Sequence, residues 1–409
     1  MKKVYFKTFG CRTNMFDTQL MIEHIGAYEL AKSESDADVV VVNSCTVTNG
    51  ADTGVRHYIS KVRSQNPNIK VLFTGCGVDT EGKKLYDAGK LDLVFAHSEK
   101  ANIAKFFDAN EKMFVEGDKN HVDDSVVTNF EGKTKAFIKI QEGCDFACSY
   151  CIIPSVRGHS RAIPARTVIR QIEVLSDSGF SEFILTGTNV GSYRDGEISL
   201  EKLMRSILDL GLARRVRLGS VEPSQITDEF LDIVSHESFS KQLHIAIQHS
   251  SNTMLERMNR KNRFEDDLRL FEKLSSLGFA IGTDYIVGFP GENEAIWDEA
   301  VRNLEAMPLT HIHPFVYSKR DGTPAAGLKA DVNGTVAKER LHQLNEIVAR
   351  KNYEFRKNLK TPLLVHVEDS KKSGFDQFFN KITFETPQKD EWVELTEFEA
   401  TLERTIAKA

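Results

Sequence analysis

Runs of apolar residues short enough for strands, each followed by an amphipathic stretch of helical period, recur through the first quarter of the chain. Val39-Val40-Val41-Val42 has no polar interruption. A run of that kind suits a parallel strand covered on both faces, whereas a strand with one wet face would alternate. Residues 3–8, 38–43, 70–74 and 91–96 read as four such strands, with helices over 17–30 and 49–63 between them. Strands alternating with helices predict an open parallel α/β sheet, and ligands of such sheets bind beyond the carboxyl ends of the strands.

A polar stretch over 116–133, with Gly117, Asp118, Asn120, Asp123, Asp124 and Gly132, reads as a linker. Strand patterns return at 136–140, 182–186, 215–218, 243–247, 281–287 and 311–316, with helical patterns between them, among them 166–179 and 264–278. Six βα units in roughly two hundred residues fit a partial (βα)6 barrel better than a closed eight-unit one. From about residue 359 the pattern changes to short alternating strands at 363–368, 378–384 and 392–396. The expected fold is therefore α/β: an open parallel sheet over 1–115, a linker over 116–133, a partial barrel over 134–358 and a unit of short strands over 359–409.

Composition changes this picture little. The 409 residues are 41% hydrophobic and 27% charged, ordinary for a folded chain with an ample core. No apolar run approaches a membrane span, and Met1-Lys2-Lys3-Val4-Tyr5-Phe6 leads into a strand pattern rather than a signal peptide, so a cytoplasmic location without a membrane partner is expected. A net charge of −6 gives no global mark of nucleic-acid binding, so any such partner must meet a local basic patch. One candidate is Arg257-Met258-Asn259-Arg260-Lys261-Asn262-Arg263, with Arg260, Lys261 and Arg263 as the phosphate contacts. Another is a helix over 336–360 bearing Lys338, Arg340, Arg350, Lys351, Arg356, Lys357 and Lys360, for which a solvated helix face is the simpler reading. Over 360–409, seven Lys and Arg stand against ten Asp and Glu, an unusual balance for a surface that holds phosphates.

The six cysteines carry the chemistry. Three lie in Gln141-Glu142-Gly143-Cys144-Asp145-Phe146-Ala147-Cys148-Ser149-Tyr150-Cys151, spaced C-x-x-x-C-x-x-C. Thiolates are soft ligands that suit iron–sulfur clusters or zinc, and three on one loop can hold one face of a cuboidal 4Fe-4S cluster with the fourth iron open. Zinc asks for four closed ligands, and no fourth Cys lies nearby, although His159 is a distant candidate. The other three, Cys11, Cys45 and Cys76, each follow directly on a different predicted strand, so a parallel sheet brings them to one edge. One such Cys alone reads as a small buried hydrophobe; three at equivalent positions point to a second 4Fe-4S cluster with one open iron. Disulfides are the weaker explanation in a reducing compartment.

Other strand ends could surround a cofactor. Thr186-Gly187-Thr188-Asn189-Val190-Gly191-Ser192-Tyr193 offers Gly187 for close backbone approach and Asn189 for a zwitterionic ligand. Ser220-Val221-Glu222-Pro223 places Ser220 and the Glu222 carboxylate where a ribose could donate to them, and residues 244–251 bring Gln248 and His249 to another strand end. Each is equally readable as a capped loop, and His244 and His249 as satisfied structural histidines.

Together these residues resemble one family, the radical S-adenosylmethionine methylthiotransferases. The resemblance rests on Thr8-Phe9-Gly10-Cys11-Arg12-Thr13-Asn14, Asn43-Ser44-Cys45-Thr46-Val47-Thr48, Gly75-Cys76, the Cys144 loop, Arg157-Gly158, Gly187-Thr188-Asn189, residues 284–292 and Tyr317-Ser318-Lys319-Arg320-Asp321-Gly322-Thr323-Pro324. The residues after Cys11 and Cys45 look most like the branch acting on N6-threonylcarbamoyladenosine in tRNA; the isopentenyladenosine branch usually has Gln after its first Cys. Two stretches depart from the family pattern. Gly77-Val78-Asp79 lacks the usual Gln continuation after the third Cys, and Gln248-His249-Ser250-Ser251 replaces Gln-Ser-Gly-Ser, as in the branch that modifies an aspartate of a ribosomal protein.

The resemblance implies a transferase with two 4Fe-4S clusters and S-adenosylmethionine. The cluster on Cys144, Cys148 and Cys151 would pass an electron to S-adenosylmethionine, releasing methionine and a 5′-deoxyadenosyl radical, with Tyr150 against the cofactor's adenine. The cluster on Cys11, Cys45 and Cys76 would carry the sulfur, methylated by another S-adenosylmethionine. The implied substrate is C2 of N6-threonylcarbamoyladenosine beside the tRNA anticodon, with isopentenyladenosine in tRNA or a ribosomal-protein aspartate as alternatives. The implied partners are tRNA, a flavodoxin- or ferredoxin-like electron donor and an unidentified sulfur donor, and the strands after residue 359 match the family's terminal RNA-binding β-barrel, TRAM. Two other classes compete: a zinc-stabilised RNA-binding protein and an iron–sulfur electron carrier.

Overall fold

The computed structural model describes residues 1–360 and 362–408. Its first unit is a sheet of six parallel strands: β1 (Lys3–Thr8), β2 (Glu29–Leu30), β3 (Val39–Ser44), β4 (Lys70–Gly75), β5 (Leu93–Phe95) and β6 (Met113–Val115), in the order β2-β1-β3-β4-β5-β6. Every residue of β3 is buried. Val40 and Val42 pack with Val55, Ile59 and Val62 of the helix Asn49–Gln65, while Val39 and Val41 pack on the other side with Met21 and Phe106. Two covered faces explain the unbroken apolar run. The first helix spans Arg12–Glu23 rather than the expected 17–30. It begins directly after Cys11, and the His24 ring, 2.8 Å from the Leu20 carbonyl, closes its last turn.

The second unit holds six further parallel strands: β7 (Ala136–Lys139), β10 (Glu182–Thr186), β13 (Arg215–Leu218), β14 (Gln242–His244), β15 (Ala280–Val287) and β16 (His311–Val316). Between them lie the short pairs β8 (Gln141–Glu142) with β9 (Arg161–Ala162) and β11 (Arg194–Asp195) with β12 (Ile198–Ser199). Parallel bridges Val216–Phe239 and Val221–Ile245 join β13 to the β14 side, so spatial order follows chain order, as a partial barrel requires. The helix Arg12–Glu23 lies along β7, inserting Phe16 and Leu20 into the barrel core. Residues 116–133 carry no helix or strand, yet they are no loose tether. Val127 and Phe130 are buried in the same core, and the Val127 N–H donates to Gln171 Oε1 at 2.7 Å.

The last unit is a curled sheet: β17 (Leu363–Val367), β18 (Ser373–Phe375), β19 (Lys381–Thr383), β20 (Trp392–Leu395), β21 (Phe398–Ala400) and β22 (Thr405–Ala407), in the order β20-β17-β18-β19-β22-β21 around Leu363, Val365, Val367 and Ile382. The expected strand over 378–384 is shorter because Asp376 accepts from the N–H groups of Phe378 (2.9 Å) and Asn380 (2.8 Å), making a turn there. The curled sheet meets the amino ends of β10 and β13, where His366 lies 2.5 Å from Glu182 and Arg215 donates to the Phe375 carbonyl at 3.1 Å. Among the described residues, no helix is long and apolar enough to cross a membrane.

Candidate cluster and cofactor site

Cys11, Cys45 and Cys76 follow the carboxyl ends of β1, β3 and β4, which are adjacent in the sheet. Gly10, at φ +96°, lets the turn before Cys11 come close to Cys45; a Cβ on Gly10 would lie 2.7 Å from that of Cys45. Burial pushes the Cys45 thiol up to about 11, helped by neighbouring Cys76. Burial raises Cys76 as well, against the lowering pull of Arg157. In the second triad burial raises Cys144 and takes Cys151 up to about 12. Burial thus favours the neutral form of these four thiols, and a metal that binds them must displace their protons.

The spacing bears on which centre fits. Sulfurs on one tetrahedral zinc, with bonds of about 2.3 Å, would lie about 3.8 Å apart. Among the described residues, no group of three ligand atoms lying within 4.8 Å of one another includes a cysteine. No cysteine trio is therefore drawn in to the separation that a single tetrahedral ion requires.

N–H groups are aimed at the sulfurs of both triads. Cys144 Sγ faces the Phe146 N–H at 3.4 Å and the Asn189 amide at 3.6 Å, Cys148 Sγ faces Arg260 at 3.6 Å, and Cys76 Sγ faces the Arg157 Nε–H at 3.2 Å. Asn189 is held by its own N–H, which donates to Gln141 Oε1 at 2.8 Å. Gly187 passes so near that a Cβ there would lie 2.7 Å from the Gln141 carbonyl oxygen.

The helix Ile153–Arg157, two residues past Cys151, joins the two triads. Ile152, Ile153 and Val156 pack on Cys76. Fully buried Arg157 donates to Cys76, to Asp17 at 3.2 Å, and closely to Glu142 and Asn14. Asp17 also accepts from Lys100 at 2.6 Å and Lys139 at 2.7 Å, and Glu142 lies 3.3 Å from Arg161. Four cations thus surround two carboxylates beside Cys76. A thiolate-ligated cluster, which carries negative charge, would offset the excess, and in that respect too the residues present fit such a group.

The remaining expected site residues divide. Glu222 reaches the loop region but is closely paired with Arg260, burial raising its carboxyl against that partner's pull. Ser220 is exposed at its strand end. Gln248 holds a left-handed backbone, φ 69°, and bridges to Tyr285. Tyr150 packs with Met254, Met258 and Phe289. His249 is structural: it lies 3.1 Å from buried Glu292, and its Nδ1 accepts from the Ser251 N–H at 3.0 Å. His244 faces Asp284 at 3.1 Å, with His313 3.6 Å from the same oxygen.

Arg260 must be removed from the phosphate contacts. Its guanidinium is buried, paired with Glu222 and bonded to the Ala246 carbonyl, so it braces the cluster loop instead. Arg263 is largely engaged by the carbonyls of Arg260 (2.9 Å) and Asn262 (2.8 Å), whereas Lys261 is exposed, over the Phe146 ring. On the long helix, observed over Gly334–Lys357, Arg340 pairs with Glu292 and Glu294, Arg350 with Glu305, and Arg356 reaches Thr405 and the Thr401 carbonyl. Buried Arg340 and Arg356 thus hold the fold, and Arg350 is taken up in a surface ion pair.

Asp17, Lys139 and Lys100 went unnoticed in the sequence and Glu142 was quoted only as part of the Cys144 loop, although Lys139 inside Phe137-Ile138-Lys139-Ile140, a charge in an apolar strand, was a legible signal. Arg320 was quoted only within a motif. It pairs with Asp52 at 2.7 Å and donates to Thr46 at 2.7 Å, docking the 317–324 turn on the Cys45 loop.

Comparison with known proteins identifies the family. Residues 3–96 match the model of Uncharacterized protein family UPF0004, and residues 138–304 that of the Radical SAM superfamily. A Helicobacter pylori protein, named only provisionally as a methylthiotransferase, is 47% identical over 98% of both chains. The threonylcarbamoyladenosine tRNA methylthiotransferases MtaB of Bacillus subtilis (36% identical, 84% of this chain and 80% of theirs) and Aquifex aeolicus (34%, 86% and 89%) are also similar. The chain belongs to the radical S-adenosylmethionine methylthiotransferases. Among solved structures, the radical S-adenosylmethionine methyltransferase TsrM of Kitasatospora setae shares the fold, with TM-score 0.60 at 15% identity over 80% of this chain and 77% of that one. A member of this family is an enzyme, which sets aside the non-catalytic readings.

Proposed function

We propose that this methylthiotransferase acts on C2 of N6-threonylcarbamoyladenosine beside the anticodon of tRNA, giving the 2-methylthio nucleoside. The observation that carries the reading is the packing of Cys76 on the helix Ile153–Arg157, which follows Cys151 and so brings the Cys76 loop of the first sheet against the segment that leaves the Cys144 loop. The substrate follows the names of the MtaB relatives. Two 4Fe-4S clusters and S-adenosylmethionine, when bound, supply the electron, the radical and the methylated sulfur.

The chain supplies the frame. Cys144, Cys148 and Cys151 hold one cluster, Cys11, Cys45 and Cys76 the other. Asn189 and Arg260 direct N–H groups at the first cluster's sulfurs, and Arg157 does so at the second. Tyr150 and Phe289 make an apolar wall that excludes water, and Gly187, Ser220, Glu222 and Gln248 line the strand ends about the cofactor. The units 1–115, 134–358 and 359–409 serve sulfur transfer, radical generation and RNA holding, with Lys261 a phosphate contact and a flavodoxin- or ferredoxin-like donor supplying electrons. Mass spectrometry of tRNA nucleosides from a strain lacking the protein is expected to reveal loss of 2-methylthio-N6-threonylcarbamoyladenosine and accumulation of its precursor. An unchanged nucleoside, with loss instead from isopentenyladenosine or a ribosomal-protein aspartate, would overturn the substrate.

A further inference from the structure

Arg12 follows Cys11 directly and opens the helix Arg12–Glu23. Residues four apart share a helix face, so Arg12, Phe16 and Leu20 form one stripe. Phe16 and Leu20 are buried in the barrel core with Ala136 and Ile138 of β7, which turns the first member of the stripe toward the barrel as well. Arg12 itself is half-buried. Among the described residues it has no hydrogen bond and no ion pair, so its donors are open to a ligand.

The charges around it are already engaged. Burial lowers the basicity of Arg12, and the nearby negative charges of Asp284, Cys11 and Glu182 oppose this. Yet Asp284 is held by His244 and His313, and Glu182 by His366 and Arg217. Arg12 thus stands next to Cys11 on the barrel-facing stripe of its helix, with its donors free of protein partners among the described residues. A guanidinium fork matches a carboxylate or a phosphate in two parallel hydrogen bonds. The base to be modified must come to this place, beside Cys11, while backbone phosphates are better met at the surface, where Lys261 is.

Resting on the function proposed above, we propose that Arg12 is a specificity-determining residue that binds the free carboxylate of the threonylcarbamoyl group, so that the enzyme selects this modified adenosine. A neutral N6 substituent would leave the guanidinium desolvated and unpaired, and that mismatch discriminates against it.

The test compares anticodon stem-loops carrying N6-threonylcarbamoyladenosine, its methyl ester, or plain adenosine, binding to the cluster-loaded enzyme by fluorescence anisotropy. A charge-assisted pair predicts that the wild type binds the free acid about tenfold or more tighter than the ester. Arg12→Gln is expected to lose that factor for the free acid and to bind the other two RNAs as the wild type does, with unchanged iron content. Equal weakening toward all three RNAs would assign Arg12 to a phosphate and overturn the carboxylate role. Acid and ester binding alike to the wild type, while both exceed plain adenosine, would overturn it without any variant. No preference of the wild type for any of the three would instead count against the proposed substrate itself.

Discussion

Arg157 sits where the two triads and both large units meet, and its donors are divided among Cys76, Asp17, Glu142 and Asn14. No apolar side chain could satisfy the two carboxylates it leaves behind. Removing one member of a buried, hydrogen-bonded charge network costs about 3–5 kcal/mol, because the partners stay charged and desolvated. Arg157→Gln, which keeps some hydrogen bonding but no charge, is expected to lose about 3 kcal/mol of unfolding free energy in denaturant titration. Arg157→Lys should recover part of it, since the charge returns without the fork. A loss under about 0.5 kcal/mol, the level of an ordinary surface change, would mean that the network is solvated in solution.

At the scale of elements, the joint between the curled sheet and the barrel is set by Glu182 on β10 and His366 on β17. Burial pushes the Glu182 carboxyl up, but the His366 hydrogen bond and the charges of Arg217 and Arg215 outweigh it and hold the group at about 2. A carboxyl lowered in the folded state stabilises above its unfolded value of about 4.3, and that stability is lost as pH falls toward the folded value. Unfolding measured between pH 6 and pH 3 is therefore expected to weaken more steeply for the wild type than for Glu182→Gln; parallel curves would refute the joint's role. Nothing in the sequence announced this pair, because its members lie far apart in the chain and neither breaks a strand pattern. What was legible followed from period alone. The unbroken Val39–Val42 run marked a doubly covered strand, and the six barrel strands fell within a residue or two of their observed ends, except that 243–247 is regular only to His244. The short edges β2 and β6, and β18, β21 and β22, carry two or three residues each, too few for a period to register. The true start of the first helix was hidden because Cys11 and Arg12 were read for their chemistry, and Arg260 was misread because a run of cations does not disclose which one turns inward.

Across the whole molecule, one chain carries two cysteine triads on separate parallel sheets, and each triad offers three thiols without drawing on the other. The helix Ile153–Arg157 couples their positions, yet no cysteine is shared. Independent ligand sets imply independent loading. Replacing Cys144, Cys148 and Cys151 together by Ala is expected to remove about half the iron and sulfide of the reconstituted enzyme and to stop both cleavage of S-adenosylmethionine and methylthio transfer. Replacing Cys11, Cys45 and Cys76 should also remove about half the iron, but should leave reductive cleavage to 5′-deoxyadenosine in place while transfer is lost. Arg157 makes this a demanding comparison, because it donates to Cys76 from the helix that follows Cys151, so each triple variant must first give an unfolding transition like that of the wild type. Given that, loss of all iron from either variant would mean that the two sites assemble as one, and transfer persisting without Cys11, Cys45 and Cys76 would remove the sulfur-holding role from the first sheet.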